Sequence, residues 1–137
     1  MKARTTAVTA LALAGLALGC GSSDDKAAEA EHSTTPQQAI AEIGKVRSGL
    51  AQALATYEAG DVSAADRQVG DTYLQHFELV EGPLGQADHK LNEQLEDTIR
   101  EQLRARIRAD AGAAKVRALV RAIDAKLDAA ERALAHQ

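Results

Sequence analysis

The feature that most constrains this chain is a helical spacing of aliphatic residues that begins near residue 36 and runs almost to the end. Ile40, Ile43, Val46, Leu50, Leu54 and Tyr57 recur at steps of three and four, the period that puts side chains on one face of an α-helix. The stripe resumes in Val62, Ala65, Val69, Tyr73, Phe77 and Val80, and again in Leu91, Leu95, Ile99, Leu103 and Ile107. A last one is Val116, Val120, Ile123, Leu127, Ala130 and Leu134. Punctuation separates them. Thr35 is an N-cap ahead of a first-turn Pro36, and Gly60 suits a left-handed C-terminal cap with Asp61 or Ser63 capping the next helix. Gly82-Pro83 and Asp110-Ala111-Gly112 mark the other breaks. The expected helices cover 36–58, 63–81, then Leu84 or Asp88 to Ala109, and 113–135. An all-α fold is the result. Short connections make an up-down-up-down antiparallel four-helix bundle over 36–137 its expected form. With two Tyr, one Phe and no Trp, the core must be built from Ala, Leu, Ile and Val.

The chain before residue 36 is of another kind. Lys2 and Arg4 lead into an apolar run from Ala7 that closes Leu16-Ala17-Leu18-Gly19-Cys20, a secretory-signal pattern too short to span a bilayer. Cys20 is the only cysteine, so no disulfide forms within one chain. A cysteine at the cut site resembles the lipobox of bacterial lipoproteins, with Ala17 where that pattern favours leucine. The resemblance implies a signal peptide over 1–19, a diacylglycerol on the Cys20 thiol, and a membrane as partner on the extracytoplasmic side of the cell envelope. Burial of acyl chains is worth roughly 0.8 kcal/mol per CH₂, and two or more chains anchor stably. Gly21 to Thr35 is small, polar and acidic, the composition of a tether over 20–35. Two of the 16 basic residues, Lys2 and Arg4, leave with the signal, so 14 face 20 acidic residues, a net of −6. Nucleic acid, which needs a dominant basic surface, is not an expected partner.

No phosphate loop, nucleophile elbow or HExxH occurs, and lipidation would consume the one thiol, so an enzyme is not expected. Two groupings remain. Glu78 and Glu81 share a helix flank with His76 a turn or less away, and in an antiparallel bundle they meet the start of the next helix. That start carries His89, Glu93 and Glu96, with Glu42 and Glu131 expected at the same pole. Carboxylate and imidazole from facing helices are how bundles hold iron, copper or zinc, whereas exposed acids at a rim are commonly just solvated. Toward the opposite pole, Arg100, Arg104, Arg106 and Arg108 close one helix while Lys115, Arg117 and Arg121 open the next. Either they form a solvated face paired with Asp66 and Asp71, or Arg100, Arg104, Arg108, Arg117 and Arg121 dock an acidic partner or anionic lipid headgroups.

The run Tyr57-Glu58-Ala59-Gly60-Asp61, followed by Asp71-Thr72-Tyr73-Leu74 and by Phe77-Glu78 with Glu81, resembles the extracytoplasmic helical domain of Ftr-type bacterial iron permeases. There a Tyr-x-x-Gly-Asp turn precedes a Tyr-x-x-x-Phe-Glu-x-x-Glu helix, and Leu95-Glu96 and Leu103-Arg104 match the helix after it. The likeness covers roughly residues 50–135, without the permease's transmembrane Arg-Glu-Gly-Leu-Glu motifs. It implies a lipid-anchored accessory module assisting iron or other transition-metal uptake beside a permease. Glu78, Glu81 and Glu96 are then the metal contacts matched to the family pattern; His76 and His89 rest on spacing. The alternative is a structural or protein-interaction lipoprotein with no metal ligand.

Overall fold

A computed structural model describes residues 33–137, which form four helices with no strand among the described residues. The expected signal peptide, Cys20 and all but the last three residues of the expected tether lie outside the described residues. Helix α1 is Pro36–Glu58. Helix α2 (62–87) is composite: α-helical over Val62–Thr72, π-helical over Tyr73–Phe77, α-helical again over Glu78–Ala87. Helix α3 (89–108) repeats that plan, with a π-helical Asp97–Leu103 between His89–Glu96 and Arg104–Arg108. Helix α4 is Ala113–Ala135. None of these is long and apolar enough to cross a membrane.

Local chemistry sets the ends. At the start of α1, Thr35 Oγ1 accepts from the Gln38 N–H at 3.2 Å while Gln38 Oε1 accepts from the Thr35 N–H at 2.8 Å, a closed capping box. The chain leaves α1 through Gly60 at φ +92°, where only glycine is unstrained. There the Gly60 and Asp61 N–H groups bond back to Tyr57 and Thr56, and the Asp61 carboxylate then caps α2 through the Ala64 N–H at 2.8 Å. Asp88 caps α3 through the Leu91 N–H at 3.0 Å. At the far end Asp110, at φ +47°, turns the chain toward α4.

One expected boundary is corrected. Gly82-Pro83 does not end the second helix, which continues to Ala87, so the break falls at Asp88 alone. Proline inside a helix costs about 3 kcal/mol. Here Pro83 is itself buried, and continuing the helix keeps the buried Phe77, Val80 and Leu84 in helical register on the core face. Neither π segment was legible in the spacing.

The four helices share one apolar core. The expected stripes supply nearly all of it, joined by Ala39, Ala53 and Leu84, while Ile40, Leu54, Val62, Leu91 and Val120 flank it half-buried. Helix α1 packs against both α2 and α4. Its approach to α2 is close at Gly49, where an added Cβ would lie 2.2 Å from Thr72 Oγ1.

Candidate functional site

The π segments of α2 and α3 come together at Tyr73 and Arg100, whose guanidinium carbon stands 5.7 Å from the centre of the Tyr73 ring. π turns inside helices are frequent at functional sites because they re-aim side chains that an α-helix would hold apart. Tyr73 is buried, and its hydroxyl donates to Glu81 Oε1, two turns further along α2. From α3, Glu96 Oε1 accepts from Arg100 Nη1 at 3.3 Å, and Glu101 lies 3.6 Å from Arg100 Nε. Gly70, Tyr73, Leu74, Glu78, Arg100 and Arg104 line a cavity of about 270 Å³ here. Leu74 stands 59 % exposed at its edge.

The electrostatics of this cluster centre on Glu81. Burial pushes its carboxyl above the ordinary value; Tyr73 opposes the shift, the fields of Glu96 and Glu78 add to it, and Arg100 opposes it again. Burial, then the hydrogen bond to Glu81, drives the Tyr73 phenol upward as well, so it stays a protonated donor. Glu81 therefore feels Glu78 and Glu96, yet the three carboxylates do not surround a common point. Among the described residues no three His, Cys, Asp or Glu side chains are placed to hold one metal ion. The donor set fits a guanidinium, and Arg100 is that cation.

The two histidines expected beside these acids bond other carboxylates. His76 turns the other way, its Nδ1 2.8 Å from Glu42 Oε2, whose second oxygen accepts from Lys45 Nζ at 2.7 Å. His89 is exposed at the first turn of α3 and lies 3.4 Å from Glu93. Because α2 runs on to Ala87, α3 begins only at His89, which leaves that ring at the outer tip. Glu131, expected at the same pole, instead meets Arg47 at 3.4 Å, beside Asp128 at 2.6 Å and Asp124.

Most of the candidate docking arginines are committed within the chain. Arg104 holds Asp66 with two hydrogen bonds of 2.8 and 3.1 Å, and Arg108 reaches the same carboxylate at 3.3 Å. The Arg104 contact, reinforced by Arg108 and Arg67 and opposed by burial, holds the Asp66 carboxyl below its ordinary value. Arg117 pairs with Glu58 across α1 and α4. Arg121 alone of the five forms no ion pair among the described residues; with Val120, Leu127 and Leu50 it edges an apolar cavity of about 270 Å³. Sequence reasoning found Asp66 but missed Tyr73 as a polar partner, having placed it only on the apolar stripe. The four-residue step from Glu96 to Arg100 was the signal that Arg100 belongs with the acids.

No family model, curated protein or solved structure significantly matches this chain. The likeness to iron-permease domains accordingly rests on the short motifs alone.

Proposed function

We propose that this chain is a lipid-anchored accessory module of the bacterial cell envelope that acts through contact with another protein. The observation that carries the reading is the pairing of Glu81 with the Tyr73 hydroxyl and of Glu96 with Arg100 beside the exposed Leu74, a mixed apolar and charged surface suited to a protein partner. The lipid is carried by Cys20 and the domain stands off the membrane on residues 20–35, on the extracytoplasmic side. In support, the capping box at Thr35 starts the first helix where the polar stretch ends. The domain is an up-down-up-down antiparallel bundle over 36–137. Pairings whose numbers fall along one helix as they rise along its neighbour support that topology: Glu58 with Arg117 and Arg47 with Asp128, Gly49 with Thr72 and Glu42 with His76, Asp66 with Arg104 and Tyr73 with Arg100.

Iron or another transition metal as cargo is the second reading, favoured by the shared field of Glu78, Glu81 and Glu96. It requires Arg100 to leave their midst.

Two experiments test these readings. Radiolabelled palmitate is expected to enter the wild type and not Cys20→Ala; equal labelling overturns the anchor. Calorimetric titration of the mature chain with ferrous, ferric, cupric and zinc ions is expected to give no saturable heat. Saturable heat abolished in Glu78→Ala/Glu81→Ala would replace the protein-contact reading with the metal one.

A further inference from the structure

On the α2–α3 face, three guanidinium groups gather at one carboxylate. Asp66 Oδ1 accepts from Arg104 Nε at 2.8 Å and from Arg108 Nη1 at 3.3 Å, and Asp66 Oδ2 accepts from Arg104 Nη2 at 3.1 Å. Arg67, the next residue of α2, adds its field to the same group, while its own Nη1 donates to the neutral Ser63 hydroxyl at 2.7 Å. One carboxylate engages these cations without matching them, which leaves two positive charges over. Arg104 and Arg108 also stand four apart on one helix, where like charges repel. The other carboxylate acting on Arg104 is Glu101, which lies 3.6 Å from Arg100 Nε. The whole chain is acidic, with a formal net charge of −4, so this excess is local and does not follow from composition.

Arg104 joins the excess to an apolar feature. Its guanidinium carbon would stand 3.6 Å from a Cβ placed on Gly70, and both residues line the cavity of about 270 Å³ that Tyr73 and Leu74 continue. Leu74 is one of two large apolar side chains exposed among the described residues. Past it, Glu78 lines the same cavity and forms no ion pair among the described residues. From Arg67 to Glu78, roughly three turns of helix, the face is positive, then apolar, then negative. The surplus cations attract carboxylates, the leucine and cavity favour an apolar side chain, and Glu78 repels an acid set at the wrong end. A lipid headgroup would use only the first of these three.

We propose that this face docks an acidic segment of a partner protein, its carboxylates over Arg67 and Arg108 and an apolar residue beside Leu74. The inference rests on the protein-contact reading and adds the chemistry of the partner. Fluorescence anisotropy of short labelled peptides added to the full chain tests it. The peptides share one leucine-containing skeleton and carry glutamate, lysine or glutamine at its polar positions. Saturable binding of the glutamate peptide is expected, with the lysine and glutamine peptides each weaker by about tenfold or more. Arg67→Gln/Arg108→Gln and Leu74→Ser change exposed side chains, and each is expected to weaken the glutamate peptide by about tenfold while the domain stays folded by circular dichroism. Arg67→Lys/Arg108→Lys, which keeps both charges, is expected to retain most of the binding. Arg132→Gln, which removes an exposed cation in the last turn of α4, is expected to bind as the wild type does. A lysine peptide that binds as tightly as the glutamate one overturns the proposal and leaves protein contact standing, as does glutamate-peptide binding unchanged in both weakening variants. Absence of binding by every peptide also overturns it. So does binding to phosphatidylglycerol vesicles alone, which would assign the surplus cations to a membrane. The protein-contact reading falls on a different result, saturable metal heat lost in Glu78→Ala/Glu81→Ala.

Discussion

At the scale of single residues, two carboxylates in the field of arginines behave oppositely, and pH separates them. Asp66 is held below its ordinary value chiefly by the two Arg104 bonds, so its contribution is present above the unfolded value of about 4 and is lost as pH falls. Asp66→Asn is expected to lower the melting temperature at pH 7, with a gap that narrows toward pH 3. Glu81 is raised by burial, so its stability is present below the unfolded value and lost as pH rises through the folded one. Glu81→Gln, which still accepts from Tyr73, is expected to melt higher than the wild type at pH 7 and level with it at pH 4. Thermal melts by circular dichroism across that range check both signs. Tyr57 illustrates what spacing hides: it sits on the expected apolar stripe, yet its hydroxyl donates to Asp110 Oδ1 at 2.8 Å and accepts from the Gly112 N–H at 3.0 Å. It thereby pins the α3–α4 turn to the end of α1. Tyr57→Phe removes both bonds and is expected to cost about 1–2 kcal/mol in urea unfolding, whereas Asp110→Asn keeps an acceptor and tolerates positive φ, and costs less.

At the scale of helices, periodicity and punctuation located α1 and α4 to the residue, because capping box, glycine turns and stripe all agree there. They misplaced the end of α2 because a local breaker, Pro83, was outweighed by burial that only the tertiary structure reveals. The candidate site was legible in part for the same reason. Which acids lie near one another follows from helix order, but where they aim depends on two π turns that leave no mark in the spacing. Small residues were equally silent. Gly49 looks like any helix-weakening glycine, whereas it is the contact that lets α1 approach Thr72. Gly49→Ala ought to stabilise an isolated helix by roughly 1 kcal/mol. Here it drives a methyl into a β-branched side chain and is expected to destabilise by about 1–3 kcal/mol, recovered in large part by adding Thr72→Ala, in a double-mutant cycle read by denaturant midpoints.

At the scale of the molecule, every buried core side chain among the described residues lies between Ala39 and Leu134. A chain starting at Ser33 keeps this whole core and is therefore expected to unfold in one cooperative step, followed by circular dichroism. With only Tyr57, Tyr73 and Phe77 as aromatics the core relies on close contact between aliphatic side chains, so cavities at Ile99 or Leu127 are poorly absorbed by neighbours. The paired π turns have a consequence for how such a chain can change length. A π turn accommodates one residue more than an α-helix would, and each residue advances a helix by about 100°. Losing one residue from either turn would therefore restore a regular α-helix and leave the residues beyond it on their present faces, whereas a loss elsewhere in the same helix would turn the core stripe by about 100°. Each turn thus acts as a place where its helix absorbs a change of length, and single-residue deletions are tolerated there better than at any other point between the core residues.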